Sequence, residues 1–113
     1  MKIYQYNKCG TCRKALKYLE EKNVKFESIP IRNQPPTKQE IKKMLDQFGV
    51  KRLFNTSGQD YRNLKIKDKL VGMSEKEIIE LLNSNGNLIK RPFVVGDNVL
   101  LIGFKEEEWK EIF

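Results

Sequence analysis

The first 30 residues place both cysteines of the chain, in the segment NKCGTC, between a predicted strand and a predicted helix. Lys2–Tyr6 alternates apolar and polar residues, which is typical of a short strand. Four residues then recur at helical spacing: Cys12, Ala15, Leu16 and Leu19. Asn23 ends this helix, and Val24–Ile29 alternates again as a second strand. A strand–helix–strand unit of this length predicts a parallel pair of strands with a right-handed crossover.

The middle of the chain predicts helices only. Three prolines in PIRNQPPT break the regular structure after the second strand. Thr37 with Glu40, and Ser74 with Glu77, form two capping boxes, each followed by apolar residues at helical spacing. We therefore expect an all-helical insert from about residue 33 to residue 86.

The last quarter of the chain predicts a hairpin and a closing helix. The apolar runs PFVV and VLLI are separated by GDN, which is a strong hairpin signal. The closing helix, Lys105–Phe113, can turn Trp109, Ile112 and Phe113 inward.

The order β-α-β, helical insert, β-β-α predicts an α/β protein with a thioredoxin-like fold and a mixed four-stranded sheet. A length of 113 residues favours one domain that spans residues 1–113. In this fold the redox centre lies between the first strand and the first helix, where the CxxC motif occurs. Pro92 opens the first strand of the hairpin, where the fold typically has a cis-proline beside the cysteines.

The residue inventory argues against a metal or haem site. A structural zinc site needs four Cys or His ligands, and the chain has two cysteines and no histidine. A c-type haem motif needs His after the second cysteine, where Arg13 stands. Catalysis by a serine or cysteine triad needs an imidazole base, which is also absent. No cofactor is expected.

The two cysteines are predicted to be chemically unequal. Cys12 lies on the apolar face of its helix, whereas Cys9 lies in the loop before the helix, between Lys8 and Gly10, with Arg13 one turn ahead. The helix N-terminus and these cations favour a thiolate at Cys9, and Gly10 leaves the approach open. The alternative is an inert buried thiol pair. We favour a redox-active pair in which Cys9 attacks and Cys12 resolves the mixed disulfide.

Composition and charge exclude several functions. No apolar run approaches the length of a membrane span, and the N-terminus lacks a signal peptide, so a cytoplasmic protein without membrane contact is expected. There a permanent structural disulfide would be unusual. The net charge is +7, with a basic middle and an acidic C-terminal end. Without a basic arm or interleaved aromatics, direct nucleic-acid binding is not expected. The basic surface is either simply solvated or a docking face for an acidic protein partner.

Four segments resemble the ArsC/Spx family of thioredoxin-fold proteins: YNKCGTCRKALKYLEE, FNTSGQDYRNL, LIKRPFVV and LLIGFKEEEW. The resemblance implies that the guanidinium of Arg91 lies near Cys9, where it stabilises the thiolate or holds an oxyanion. It also implies that Pro92 shapes the wall that faces the substrate.

The family has two functional branches, and the sequence differs from both. Glutaredoxin-coupled arsenate reductases usually have Ser at the position of Cys12, and they surround the oxyanion with further arginines. Asn55 stands where one of these would align. Spx-type regulators use the CxxC as a disulfide switch and bind the α subunit of RNA polymerase, but they carry a longer C-terminal tail.

Two functional hypotheses follow. The first is a monomeric, cytoplasmic thiol–disulfide redox protein, arsenate-reductase-like, of unknown substrate. It would use a thiol-redox partner protein, glutathione with glutaredoxin or thioredoxin, as electron donor. The second is an Spx-like redox-sensing regulator that binds the RNA polymerase α subunit.

Overall fold

The computed structural model describes all 113 residues and contains one sheet of four strands. The strands are β1 (Lys2–Gln5), β2 (Glu27–Pro30), β3 (Phe93–Val95) and β4 (Leu100–Ile102). Their order in the sheet is β2-β1-β3-β4. β1 and β2 are parallel, whereas β3 is antiparallel to both β1 and β4. The prediction of an α/β thioredoxin-like fold with a mixed four-stranded sheet is confirmed.

Seven helices surround the sheet. They are α1 (Gly10–Glu21), α2 (Lys38–Phe48), α3 (Val50–Leu53), α4 (Gln59–Asn63), α5 (Ile66–Lys69), α6 (Glu75–Ser84) and α7 (Glu106–Ile112). Helices α2 to α6, together with 3-10 turns at Leu70–Gly72 and Gly86–Leu88, form the segment between β2 and β3. Both capping boxes are present, at the N-termini of α2 and α6. None of the helices combines the length and the apolar character needed to cross a bilayer.

The two faces of the sheet bury separate cores, because successive side chains in a strand point to opposite faces. On one face, strand residues pack against α1 and α7; this core consists of Ile3, Ala15, Leu19, Val94, Leu101 and Trp109. On the other face, the larger core includes Tyr4, Phe93 and Ile102 and continues into the helices between β2 and β3. The sheet is therefore the middle layer between the α1–α7 pair and the helical insert.

The end of α1 explains why β2 begins later than the alternation predicted. Asn23 has φ of 56°, and its N–H donates to the Glu20 carbonyl (3.1 Å). The N–H of Val24 donates to the Leu19 carbonyl (3.0 Å), which completes a Schellman motif. Asn23 is thus the predicted stop. Val24 and Phe26 then pack against the α1–α7 core before strand pairing starts at Glu27, so the predicted strand start at Val24 was wrong.

The prediction for the closing helix was right at Trp109 and wrong at Ile112. Trp109 is completely buried, whereas the side chain of Ile112 is 44% exposed. At 100° per residue, Ile112 lies about 60° away from the Trp109 direction and Phe113 only about 40° away. Phe113 accordingly packs against Trp109, with 5.7 Å between the ring centroids, and Ile112 lies at the rim.

A nearly buried carboxylate joins the helical insert to the first strand. Glu40 of α2 accepts hydrogen bonds from the hydroxyl of Tyr4 (2.6 Å), the ammonium of Lys2 (3.3 Å) and the backbone N–H of Thr37 (3.0 Å). Although burial favours the neutral acid, these donors hold the pKa of Glu40 below its usual range. The contact fixes α2 against β1, an inner strand of the sheet.

Candidate redox site

Cys9 is the N-cap residue of α1. Its backbone is extended (φ −89°, ψ 119°), and its Sγ accepts the N–H of Cys12 at 3.4 Å. The N–H of Cys9 donates to the carbonyl of Tyr6 (2.9 Å), which closes the turn that leads from β1 into the helix. A thiolate in this position meets the unpaired N–H groups and the partial positive charge of the helix end.

The two thiols have opposite tendencies to ionise. Burial opposes ionisation at Cys9, but hydrogen bonds from the backbone and thiol of Cys12, and the guanidinium of Arg91, lower the pKa of Cys9 below its ordinary value. Burial, together with the neighbouring Cys9, raises the pKa of Cys12 to about 12. Cys12 is completely buried, whereas Cys9 is partly exposed. The structure therefore provides one thiol suited to be a nucleophile and one protected thiol behind it.

Arg91 is held by an aromatic ring and not by a carboxylate. Its guanidinium carbon lies 5.0 Å from the ring centroid of Tyr6, and that of Arg32 lies 4.8 Å from the same ring. The ion pairs of the chain involve other residues. Because no carboxylate neutralises Arg91, its charge acts on Cys9. The Arg91–Pro92 peptide bond is cis, and the buried Pro92 accepts the N–H of Gly103 at its carbonyl (2.8 Å).

Cys9 opens into a surface cavity of about 650 Å³. Fifteen residues line the cavity: Cys9, Thr11, Lys51, Arg52, Phe54, Asn55, Thr56, Ser57, Gly58, Lys90, Arg91, Ile102, Gly103, Phe104 and Lys105. Cys9 and Arg91 are thus brought together in one wall. Five of the fifteen residues are cationic and none is acidic.

The other site residues predicted from the sequence lie outside this lining. Lys8 and Arg13 are exposed, and neither is among the residues that line the cavity. Gly10 is exposed and has open space around its Cα. Pro92 is buried directly behind Arg91. The lowered pKa of Cys9 comes from its contacts with Cys12 and Arg91, and not from Lys8 or Arg13.

The three lysines of the cavity were not predicted from the sequence. Lys51 comes from α3, Lys90 from the segment before β3, and Lys105 from the turn between β4 and α7. They are far from the cysteines in sequence, so the chain neighbours of the CxxC motif could not reveal them. Only Lys90 could have been connected with the site from the sequence, because it directly precedes the Arg-Pro motif.

Arg52 closes one wall of the cavity without contributing net charge. Its guanidinium donates to both carboxylate oxygens of Glu108 (3.0 and 3.1 Å) and to the carbonyl of Ile102 (3.0 Å). It also stacks on Phe48, with its guanidinium carbon 4.5 Å from the ring centroid. This clamp ties α3 of the insert to β4 and α7, so the two halves of the cavity wall are rigidly joined.

Asn55, the residue aligned with an oxyanion-binding arginine, does line the cavity. Its side-chain amide is directed at the backbone carbonyl of Asn87 (3.5 Å), and the amide of Asn87 in turn donates to Asp60 (3.1 Å). Asn55 thus supplies a polar but uncharged surface where an arginine would supply charge.

Fold and site together define a thioredoxin-fold protein with a dithiol at the N-terminus of its first helix, beside a cationic cavity. The ArsC family model matches residues 4–112, and the chain belongs to this family. The uncharacterized protein YusI of Bacillus subtilis (strain 168) is 49% identical over 111 residues, which are 96% of this chain and 94% of YusI.

Two further proteins show the breadth of the family. The crystal structure of an ArsC-family-related protein from Bacteroides fragilis is 43% identical, superposes with a TM-score of 0.90, and covers 99% of this chain and 96% of its own. The global transcriptional regulator Spx of Listeria monocytogenes (serovar 1/2a) is 27% identical over 108 residues, 94% of this chain and 81% of Spx. The resemblance to the ArsC/Spx family is confirmed.

The position of Arg91 makes a testable prediction about the acidity of Cys9. Replacing Arg91 with Met removes the charge beside the thiolate, so we expect the pKa of Cys9 to rise. At pH 6 each tenfold loss of thiolate should slow disulfide attack only about 3- to 4-fold, because the nucleophilicity of a thiolate increases with its pKa. Thiolate absorbance at 240 nm measures the pKa, and stopped-flow kinetics against pH measure the rate.

Arg32→Met is the matched control for this experiment. It removes the second guanidinium that lies over the Tyr6 ring, and Arg32 is not among the groups that lower the pKa of Cys9. An unchanged titration of Cys9 in Arg91→Met, or an equal change in Arg32→Met, would contradict the role assigned to Arg91.

Proposed function

We propose that this protein is a thiol–disulfide reductase in which Cys9 is the nucleophile and Cys12 the resolving thiol. The observation that carries the proposal is the difference between the two thiols. Cys9 is partly exposed, caps the N-terminus of α1 and has a lowered pKa. Cys12 is buried and has a raised pKa. Membership of the ArsC family supports a thiol-dependent role.

The first step consumes the Cys9 thiolate. Its sulfur attacks one sulfur of a substrate disulfide, a new S–S bond forms to Cys9, and the substrate bond breaks. The other substrate sulfur leaves as a thiolate and takes a proton from water. Arg91, beside Cys9, stabilises the negative charge before the attack.

The second step is favoured by the first. The charge of Cys9 is one cause of the raised pKa of Cys12, and this charge disappears when Cys9 enters the mixed disulfide. Cys12 can then lose its proton more easily and attack the sulfur of Cys9. The remaining substrate sulfur leaves as a thiolate and is protonated. The substrate gains two electrons, and the protein is left with a Cys9–Cys12 disulfide.

A further turnover requires a thiol reductant to cleave the Cys9–Cys12 disulfide. Glutathione with glutaredoxin, or thioredoxin, are the reductants we propose. Comparing the rate at which each restores two free thiols in the oxidised protein identifies the donor.

The experiment that tests the function is a trapping reaction with Cys12→Ser. Without the resolving thiol, a disulfide-linked peptide should remain on Cys9 as a stable mixed disulfide, with close to one peptide per chain by mass spectrometry. The wild-type protein should pass through this adduct and end with an internal disulfide. Absence of the adduct, or alkylation of Cys9 no faster than that of Cys12, would refute the reductase.

A second candidate function is supported by the similarity to Spx, a global transcriptional regulator. Under this hypothesis, oxidation of the Cys9–Cys12 pair changes the affinity of the protein for the α subunit of RNA polymerase. Pull-down with this subunit under oxidising and reducing conditions tests it directly. Equal recovery of the subunit in both conditions, or recovery in neither, rejects the switch.

A further inference from the structure

We infer that the cavity beside Cys9 selects protein substrates whose reactive cysteine is flanked by acidic residues. The inference rests on the proposed reductase function and names its substrate class. Three observations support it: the sign of the charges that line the cavity, the absence of carboxylates from that lining, and the size of the cavity.

Four cations of the cavity wall are without an ion-pair partner. Lys51, Lys90, Arg91 and Lys105 all line the cavity, and none of them pairs with a carboxylate of the chain. Arg52, the fifth, is neutralised by Glu108, which does not itself line the cavity. The lining of the cavity therefore carries a net positive charge that an anionic ligand would neutralise.

The backbone of the β4–α7 turn makes room for one of these lysines. Gly103 has φ of 73°, a conformation that favours glycine. A Cβ at Gly103 would lie only 3.1 Å from Cε of Lys90. The aliphatic part of Lys90 thus crosses Gly103, and its ammonium shares the wall formed by Phe104 and Lys105.

The dimensions and polarity favour an extended peptide segment over a small inorganic anion. About 650 Å³ is within the range of cavities that hold ligands of many heavy atoms. The charges come from three separate chain segments, around residues 51, 90 and 105, which all line the same cavity. The hydroxyls of Thr11, Thr56 and Ser57 add hydrogen-bonding groups to the same lining. In an extended peptide, carboxylates on both sides of a cysteine would contact these cations while the sulfur of that cysteine reaches Cys9.

The chemistry is the two-step exchange given above. The acidic segment supplies the disulfide that is reduced, and Cys9 and Cys12 supply two electrons. A single turnover of the pre-reduced protein needs no further reductant, so the preference can be measured without an electron-donor system.

The experiment uses three disulfide-linked peptide dimers whose central cysteine is flanked on both sides by Glu, Gln or Lys. A fluorophore that is self-quenched in the dimer reports reduction. The rate with the reduced full-length protein is divided by the rate with 2-mercaptoethanol, an uncharged thiol. This reference matters because Glu flanks raise the pKa of the leaving thiol and slow exchange intrinsically. We expect the normalised rate for the Glu peptide to exceed that for the Gln peptide by about tenfold, and the Lys peptide to be slowest.

The variant Lys51→Gln/Lys90→Gln/Lys105→Gln should lower this preference to less than about threefold. All three lysines are exposed, so their replacement should leave the fold intact, which circular dichroism verifies. The preference should also collapse in 1 M salt, where the Debye length falls to about 3 Å.

The matched control removes three exposed lysines outside the cavity, in Lys25→Gln/Lys43→Gln/Lys76→Gln. It lowers the net charge equally and should retain the preference. Equal normalised rates for the three peptides, or an equal loss of preference in both triple variants, would overturn the inference and leave the reductase function standing. Failure of Cys9 to react with any of the peptides would instead refute the reductase function itself.

Discussion

Cys9→Ser should abolish the reaction with disulfides. A serine hydroxyl does not attack disulfide sulfur, and Cys12 cannot replace Cys9. Cys12 is completely buried, and this burial keeps the pKa of its thiol raised even when the charge of Cys9 is absent, so little of it is ionised at pH 7. We therefore expect the second-order rate of mixed-disulfide formation to fall by about 10³-fold or more. Quenched-flow sampling with mass spectrometry measures this rate.

Cys12→Ser is the natural control, because it keeps the nucleophile and removes only the second thiol. It should form the mixed disulfide at a rate close to that of the wild-type protein. A residual rate in Cys9→Ser within tenfold of the wild type would show that Cys12 is reactive and that the assigned order of attack is wrong.

Trp109→Ala should produce the largest loss of stability of any single substitution in the α1–α7 core. Trp109 is completely buried, and its ring packs against Phe104 (4.9 Å between centroids) and Tyr18 (6.1 Å). Its Nε1–H also donates to the carbonyl of Gly103 (3.1 Å), which would be left without this donor. We expect the free energy of unfolding to fall by about 3–5 kcal/mol. Urea titration followed by circular dichroism measures it.

Trp109→Phe separates packing from the hydrogen bond. It keeps an aromatic ring in the core but removes the donor to Gly103, so the loss should be smaller, about 1–3 kcal/mol. Gly103 adjoins Phe104 and Lys105 in the cavity wall, and both variants should therefore loosen that wall as well. A loss below about 1 kcal/mol in Trp109→Ala would show that α7 contributes little to the fold.

Elements whose signals are local were predicted well. The helix that follows the CxxC motif, its stop at Asn23, the two capping boxes and the closing hairpin each depend on residues within a few positions of one another. The errors arose where packing decided the outcome. β2 begins at Glu27 because Val24 and Phe26 pack into the α1–α7 core. Ile112 lies at the rim because it is rotated by about 60° from the direction of Trp109 on α7.

The sequence by itself determined the inequality of Cys9 and Cys12. One thiol caps a helix and the other lies on that helix's buried face, and both facts follow from a spacing of three residues in a helix that begins at Gly10. Only the tertiary structure decided what surrounds Cys9. Lys51, Lys90 and Lys105 meet in one cavity because the Arg52–Glu108 clamp and the sheet bring three distant segments together. A helix cap depends on neighbouring residues and therefore leaves a local pattern in the sequence. A charged cavity built from distant residues leaves no such pattern.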